Sequence, residues 1–461
     1  MRISFWTINL PEDLLIATGI AFFLMFILIS FLSWMEKEYR ASLRAALLSI
    51  IVSFPYLINA LVKFPFQYFA GWILLSLTFL TIFPLLVPFK GFGKLSEIKP
   101  VERLDERITM FSRNELKEGT KLFEEFYKKN PEKFNDDSEF RKLPGLLSGK
   151  ALYADPVIFA ASDAYFEVCK VLRNGADEKP SERKYDIDSK DISVFIKKNA
   201  INMGAHSVGV TELRDYHLYS VGGRGERYNR VYSEESHKFA IAFTVEMDHD
   251  MIGMGPDAPT VMESARCYQH AADIAVLTAK MIRNLGYSAS AHIDGYYKVV
   301  CPLVARDAGL GEIGRMGLLI TPKLGPRVRI SVVTTDMPVK TDKRNFDPTV
   351  TEFCEVCKKC AVVCPSKAIS KEPRKKINGV LRWQIDQEKC FTYWCKVGTD
   401  CGRCVAVCPY SHPDNLFHNS IRFFLKRSYF FRKVAAFMDD FLYGKKPKPV
   451  KVAKWLKVKV Q

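Results

Sequence analysis

Cys354-Glu-Val-Cys357-Lys-Lys-Cys360-Ala-Val-Val-Cys364-Pro365 is the stretch on which the reading of this chain turns. A second run follows, Cys401-Gly-Arg-Cys404-Val-Ala-Val-Cys408-Pro409, and Cys390 lies a short loop before it. Thiolates at this spacing wrap a turn of chain around an iron–sulfur cubane. In two-cluster modules the last cysteine of each run serves the other cluster. On that pattern Cys354, Cys357, Cys360 and Cys408 hold one [4Fe–4S] cluster, and Cys364, Cys390, Cys401 and Cys404 hold the second. Cys395 competes with Cys390, and spacing leaves that choice open. Structural zinc would use paired C-x2-C spacing or Cys/His mixtures, not two runs with a three-residue gap and a trailing proline. Nine of the twelve cysteines fall between Cys354 and Cys408. Cys169, Cys267 and Cys301 sit in apolar contexts and read as buried spectators.

Two clusters carry single electrons between a donor and an acceptor, so the rest of the chain must supply the acceptor. The N-terminal part supplies something else. Leu14–Trp34, Ala45–Val62 and Phe66–Phe89 carry no charge. Each is long enough to cross a hydrocarbon core as a helix, and too long for a signal-peptide apolar region. Lys37, Arg40 and Arg44 lie in the first loop, and Lys90, Lys94, Lys99, Arg103 and Arg107 follow the third run. Only Arg2 and Lys63 lie on the other side. The excess of Lys and Arg predicts a multi-pass cell-membrane anchor with its N-terminus outside and everything beyond residue 90 cytoplasmic. No twin-arginine leader occurs.

Between anchor and cysteines, helical and extended patterns mix without a βαβ beat, which predicts an α+β domain. Helices are expected over Glu115–Lys129, Asp155–Leu172, Ile192–Met203 and Pro259–Leu285. Strands are expected at His206–Val210, Phe239–Glu246 and Tyr287–Ile293, with Gly317–Thr321 and Val328–Thr335 paired with each other. Gly309-Leu-Gly311-Glu-Ile-Gly314 matches the dinucleotide fingerprint, but no strand precedes it and prolines follow it, so the glycines read as a tight loop around something else.

The net charge of +16 points to nucleic acid or an anionic membrane surface. Residues 421–461 hold twelve Lys or Arg against two acids, interleaved with aromatics. No nucleic-acid recognition fold accompanies them, so the tail is expected to combine packing with contact to lipid headgroups. The domains expected are a transmembrane helical anchor (1–90), a catalytic domain (91–345), a bacterial-ferredoxin-like 2[4Fe–4S] domain (346–420) and a basic tail (421–461).

Several segments, in one order, resemble the cobalamin-dependent reductive dehalogenases over roughly residues 100–445. They are Glu106-Arg107 with Met110-Phe-Ser-Arg113, Gly204-Ala205 with Val208-Gly209, Leu285-Gly-Tyr287, Ala308–Arg315, Gly317–Pro322, Gly325-Pro-Arg-Val-Arg329 and Thr335–Pro338, followed by the cysteine runs. The epoxyqueuosine reductases, which share clusters and corrinoid, are less similar in these middle segments. The resemblance implies a nitroreductase-like corrinoid-binding domain with base-off cobalamin, and it agrees with the absence of an Asp-x-His-x-x-Gly signature. It implies that Co(I), reduced through the clusters, removes halide from an organohalide. Tyr268 then donates the proton and Arg327 favours its phenolate, while Gly311, Gly314, Arg315 and Met316 line the corrinoid. Asp294 stands where some members have asparagine, and an acid there would oppose phenolate formation or bind a different substrate group. The implied partners are a small organohalide, an electron-donor protein or reduced carrier, and the membrane, with no nucleic acid. The alternatives are a corrinoid reductase of a non-halogenated substrate such as an epoxide, and a membrane electron-transfer ferredoxin.

Overall fold

The contacts of the chain divide it into two units, residues 1–94 with 415–447, and residues 95–414 with 448–461. The computed structural model describes residues 10–89, 102–232, 236–344, 346–377 and 379–459. These units cut across the expected boundary at residue 420. The stretch 415–447 folds with the N-terminal helices, and the last residues return to the larger unit.

In the smaller unit, helices Leu10–Met35, Tyr39–Leu61 and Gln67–Leu86 are each long and apolar enough to cross a membrane. Only 17%, 28% and 6% of their most apolar windows are buried within the protein, so the remaining apolar surface faces outward. Water would penalise such a surface, whereas lipid would not. The second helix starts before the apolar run, because Arg40 and Arg44 continue its first turns. Helices meet where side chains are small: a Cβ on Gly71 would lie 2.9 Å from Leu15 Cδ1 and 3.0 Å from Asn59 Oδ1. Two amphipathic helices, Leu416–Arg427 and Tyr429–Leu442, belong to the same unit. Leu442 and Tyr443 pack with Ile29, Ala41 and Ala45. Asn415 Nδ2 donates to Glu36 Oε1 (2.6 Å), and His418 Nε2 lies 3.1 Å from both Glu36 oxygens.

The larger unit is built on an antiparallel sheet. Its strands are β1 (Ser207–Glu212), β2 (Phe239–Glu246), β3 (Ala289–His292) and, later in the chain, β6 (Val328–Thr335), in the order β1-β2-β6-β3. Two short strands, β4 (Glu312–Ile313) and β5 (Leu319–Ile320), pair with each other. Strand β2 reads as an almost unbroken apolar run because both faces are covered. Ile241, Phe243 and Val245 enter the core formed with helix Pro259–Asn284, while Ala240 and Ala242 pack against Val304 and Ala305 of helix Cys301–Asp307.

Three expectations change. The pairing of residues 317–321 with 328–335 is replaced: β6 bonds β2 on one edge and β3 on the other, leaving β5 to β4. The helix expected over Glu115–Lys129 breaks into Met110–Glu115 and Lys121–Lys129. Gly119 turns the chain at φ 77°, and Thr120 caps the second piece. The basic tail is not one element. Part of it lies in the smaller unit, while Val450 N–H donates to Gly253 O (2.9 Å) and Leu456 packs on Met251, Met254 and Ala258 in the larger.

Candidate functional site

The cysteine runs occupy short helices joined by tight reversals. Helix Thr349–Cys357 ends at Lys358, whose φ of 54° turns the chain directly into Lys359–Val363. Cys401 and Gly402 take positive φ ahead of Arg403–Ala406. Gly402 presses on the long helix: a Cβ there would lie 2.6 Å from Thr260 Cγ2.

The thiols form two neighbourhoods, each drawn from both runs. Burial pushes the Cys408 thiol well above its ordinary value, and the nearby thiols of Cys354, Cys357 and Cys360 push it further. Cys390 is pushed up to about 12 by burial and then by Cys401 and Cys364. Cys404 is raised by burial and then by Cys401, Cys390, Cys360 and Cys364. Ionising these thiols together needs cationic compensation, which iron would supply, so the donor set fits clusters. Cys395 lies elsewhere. It follows Cys390 by five residues on helix Gln387–Val397, about 140° around the axis, and is buried among Met110, Phe140 and Phe391. Among the described residues no three His, Cys, Asp or Glu side chains converge on a point suited to a single metal ion.

The glycine loop backs onto this region. A Cβ on Gly311 would lie 2.3 Å from Ile320 O, and one on Gly314 would lie 2.8 Å from Ile320 Cγ1 and 3.5 Å from Cys354 Sγ. Glycine is needed for both approaches. Met316 is buried. Arg315 is also buried, and its guanidinium is committed to the cysteine module. It donates to the backbone oxygens of Cys354 (3.0 Å), Ser370 (2.8 Å) and Glu372 (2.8 Å) and lies 4.4 Å from the Trp383 ring centre. These bonds hold the first cysteine loop.

The second centre is Tyr268 on the long helix. The guanidinium of Arg329 stands 4.7 Å from its ring centre. Arg329 Nη2 donates to Asp400 Oδ2 (2.8 Å) and to Ser264 Oγ (2.6 Å). The Arg329 cation is the largest influence on the Tyr268 phenol and lowers its pKa. Burial, Asp294 and Asp400 oppose it, and the balance lies above the ordinary value. Arg224 also acts on the phenol, and Tyr297 is coupled to Tyr268, Asp294 and Arg224. Tyr268, Tyr297, Arg329 and Asp400 lie deep in the molecule yet keep partial accessibility. Buried Arg329 Nε and Asp400 Oδ1 have no hydrogen-bond partner among the described residues. Polar and incompletely satisfied, these surroundings fit a bound polar cofactor and substrate.

Arg327 is not part of this centre. Its buried guanidinium donates to Ser411 O (2.8 Å) and Met247 O and pairs with Glu246 (3.2 Å). The basic partner of Tyr268 is Arg329, two residues on. Asp294 does face the site, with its carboxylate 3.4 Å from Arg173 Nη2.

Residues 353–412 match the model of a 4Fe-4S dicluster domain. The chain is 39% identical over 210 residues to the tetrachloroethene reductive dehalogenase of Sulfurospirillum multivorans, covering 44% of this chain and 41% of that one. It is 37% identical over 197 residues to the enzyme of the same name from Desulfitobacterium hafniense, covering 40% and 35%. Among solved structures it aligns, at TM-score 0.57 and 26% identity over 67% of this chain and 44% of the other, with a reductive dehalogenase described in terms of B12-dependent dehalogenation. Over these segments the chain is similar to the reductive dehalogenases. It spans less than half the length of these curated relatives.

Tyr268, Asp294 and the eight cysteines expected from sequence fall around two adjoining regions of one unit. Arg329, Ser264 and Asp400 escaped the sequence reading. Two weak signals were present: a second arginine in Gly-Pro-Arg-Val-Arg329, and an acid immediately before Cys401.

Proposed function

We propose that the larger unit is a corrinoid- and [4Fe–4S]-dependent reductase that removes halide from a small organohalide, in a nitroreductase-like domain. The contact of Arg329 with Tyr268, one loop from Cys401, carries the reading. Replacing carbon-bound halogen by hydrogen takes two electrons and one proton and releases halide. When bound, two clusters would pass single electrons and a base-off cobalamin would supply the reducing centre for the carbon–halogen bond. Cys354, Cys357, Cys360 and Cys408 would hold one cluster and Cys364, Cys390, Cys401 and Cys404 the other. The backbone around Gly311 and Gly314, with Met316, would line the corrinoid.

Tyr268 holds the proton at its phenol oxygen, and burial with Asp294 keeps it there until it is needed. After transfer the phenolate lies beside the Arg329 guanidinium, which compensates its charge. Arg329 therefore takes the role that the resemblance suggested for Arg327. The three apolar helices would anchor the enzyme in the cell membrane with the active unit cytoplasmic, and a reduced carrier would deliver electrons.

The test is anoxic purification of the full chain made with cobalamin available. Expected are about eight irons, one cobalt, and halide release that Tyr268→Phe abolishes. Protein that takes up iron but no corrinoid defeats the reading and favours simple electron transfer. Corrinoid uptake without halide release from a panel of organohalides favours a non-halogenated substrate.

A further inference from the structure

Ser264 and Tyr268 are one turn apart on the long helix, so they share a face. Arg329 comes from β6 and Asp400 from the loop before Cys401. Asp400 Oδ2 accepts from both Ser264 Oγ and Arg329 Nη2, and Arg329 Nη2 also donates to Ser264 Oγ. Three elements thus close on one guanidinium nitrogen, and the rest of that guanidinium lies across the Tyr268 ring.

The loop carrying Asp400 is itself held. Thr399 Oγ1 donates to Pro256 O (2.7 Å), Gly402 N–H donates to Asp400 O (2.7 Å), and Gly402 is seated against Thr260 of the helix. A Cβ on Gly255 would lie 2.3 Å from Cys401 O. The loop and the start of the helix are therefore closely apposed. An arginine has many rotamers, and fixing its side chain costs conformational freedom. Among the described residues the side-chain hydrogen bonds of Arg329 go to Ser264 and Asp400, and its Nε has no partner.

We infer that Asp400, with Ser264, is a positioning residue that clamps Arg329 over Tyr268, so that the loop leading to the second cluster sets the proton donor's charge partner. This rests on the proposed role of Tyr268. The charged and titratable groups acting on Tyr268 are Arg329, Asp294, Asp400 and Arg224, with Tyr297 beyond.

The inference has a sign that separates clamping from bare charge. Asp400 as a charge raises the phenol pKa, so removing it with Arg329 still in place would lower that pKa. Asp400 as a clamp has the opposite consequence, because releasing Arg329 removes the largest lowering influence.

The experiment uses the full chain loaded with clusters and corrinoid, as wild type, Asp400→Ala, Asp400→Asn and Ser264→Ala, with Tyr268→Phe as the blank. Tyr268 ionisation is followed as the difference in ultraviolet resonance Raman signal from the blank, alongside the alkaline limb of halide release. Asp400→Ala should raise the phenol midpoint by about one unit and move the alkaline limb with it. Asp400→Asn keeps an oxygen for Arg329 and should raise it less or lower it. A midpoint unmoved or lowered by Asp400→Ala overturns the clamp. If that variant does not fold, Ser264→Ala carries the test: a smaller upward shift supports the clamp, and no upward shift overturns it. Full activity in Tyr268→Phe would instead defeat the proposed function. Loss of activity there, with Asp400 variants unshifted, defeats only the clamp.

Discussion

The Arg329 guanidinium stands 4.7 Å from the centre of the Tyr268 ring, and both groups lie deep in the larger unit while keeping some accessibility. A cation so placed stabilises the phenolate more than the phenol. Arg329→Gln should therefore raise the Tyr268 pKa and slow halide release by about one to three orders of magnitude. Arg327→Gln should act differently. It leaves the Ser411 and Met247 carbonyls unsatisfied, costing about 1–3 kcal/mol of stability, and leaves the pH profile of the folded fraction in place. Paired pH–rate profiles and denaturant midpoints for the two variants distinguish the roles.

Cys390 and Cys395 separate as cleanly. Cys390 neighbours Cys364 and Cys401, whereas Cys395 is packed among Met110, Phe140 and Phe391. Cys390→Ser should lower bound iron from about eight towards about four per chain and remove one set of reduced-cluster EPR signals. Cys395→Ser should keep the iron and lose only about 1–3 kcal/mol of stability, from a buried hydroxyl in an apolar site. Iron analysis with EPR settles the choice that spacing left open.

What could be read from sequence follows from how local each signal is. The cysteine runs state their chemistry within a few residues, and β2 shows two buried faces as an almost unbroken apolar run. The long helix from Pro259 announces its start by proline and its span by periodicity. The Arg329 contact is different. It depends on the register of β6 against the helix and on a loop more than seventy residues further along, and neither leaves a local trace. The β5–β6 misreading has a similar cause. The segment between Pro322 and Pro326 looks like a hairpin turn, but β6 already has neighbours on both edges.

His292 makes the larger unit sensitive to acid. Its Nδ1 accepts from Lys298 N–H (3.2 Å), so its Nε2 carries the hydrogen donated to Thr334 Oγ1 (2.9 Å). Burial, then the Lys298 charge, holds its pKa well below the ordinary value. The unfolded chain therefore binds a proton first as pH falls. The contribution to stability is complete above about pH 6.5 and is lost as pH falls towards the lowered value, by at most about 1.4 kcal/mol per unit. Protection factors for hydrogen exchange across β3 and β6, which correct for the intrinsic rate, should fall from pH 7 to 5. Protection constant over that range would show that His292 takes up its proton equally in the folded and unfolded states.

The smaller unit predicts how the chain behaves when cut. Helices Leu416–Arg427 and Tyr429–Leu442 turn Phe417, Met438 and Leu442 towards Ile29, Ala41 and Ala45. Removing residues 1–94 strips that cover and leaves apolar faces in water, where exposed patches drive association. A chain beginning at residue 95 should therefore still need detergent, or aggregate, although it lacks all three apolar helices. Size-exclusion chromatography without detergent tests this: a monodisperse, soluble product would show that the two amphipathic helices do not depend on the N-terminal ones. A reporter fused after residue 95 of the full chain should be active in the cytoplasm, because Lys and Arg cluster between residues 37 and 44 and follow the third helix; a periplasmic signal would reverse the proposed orientation.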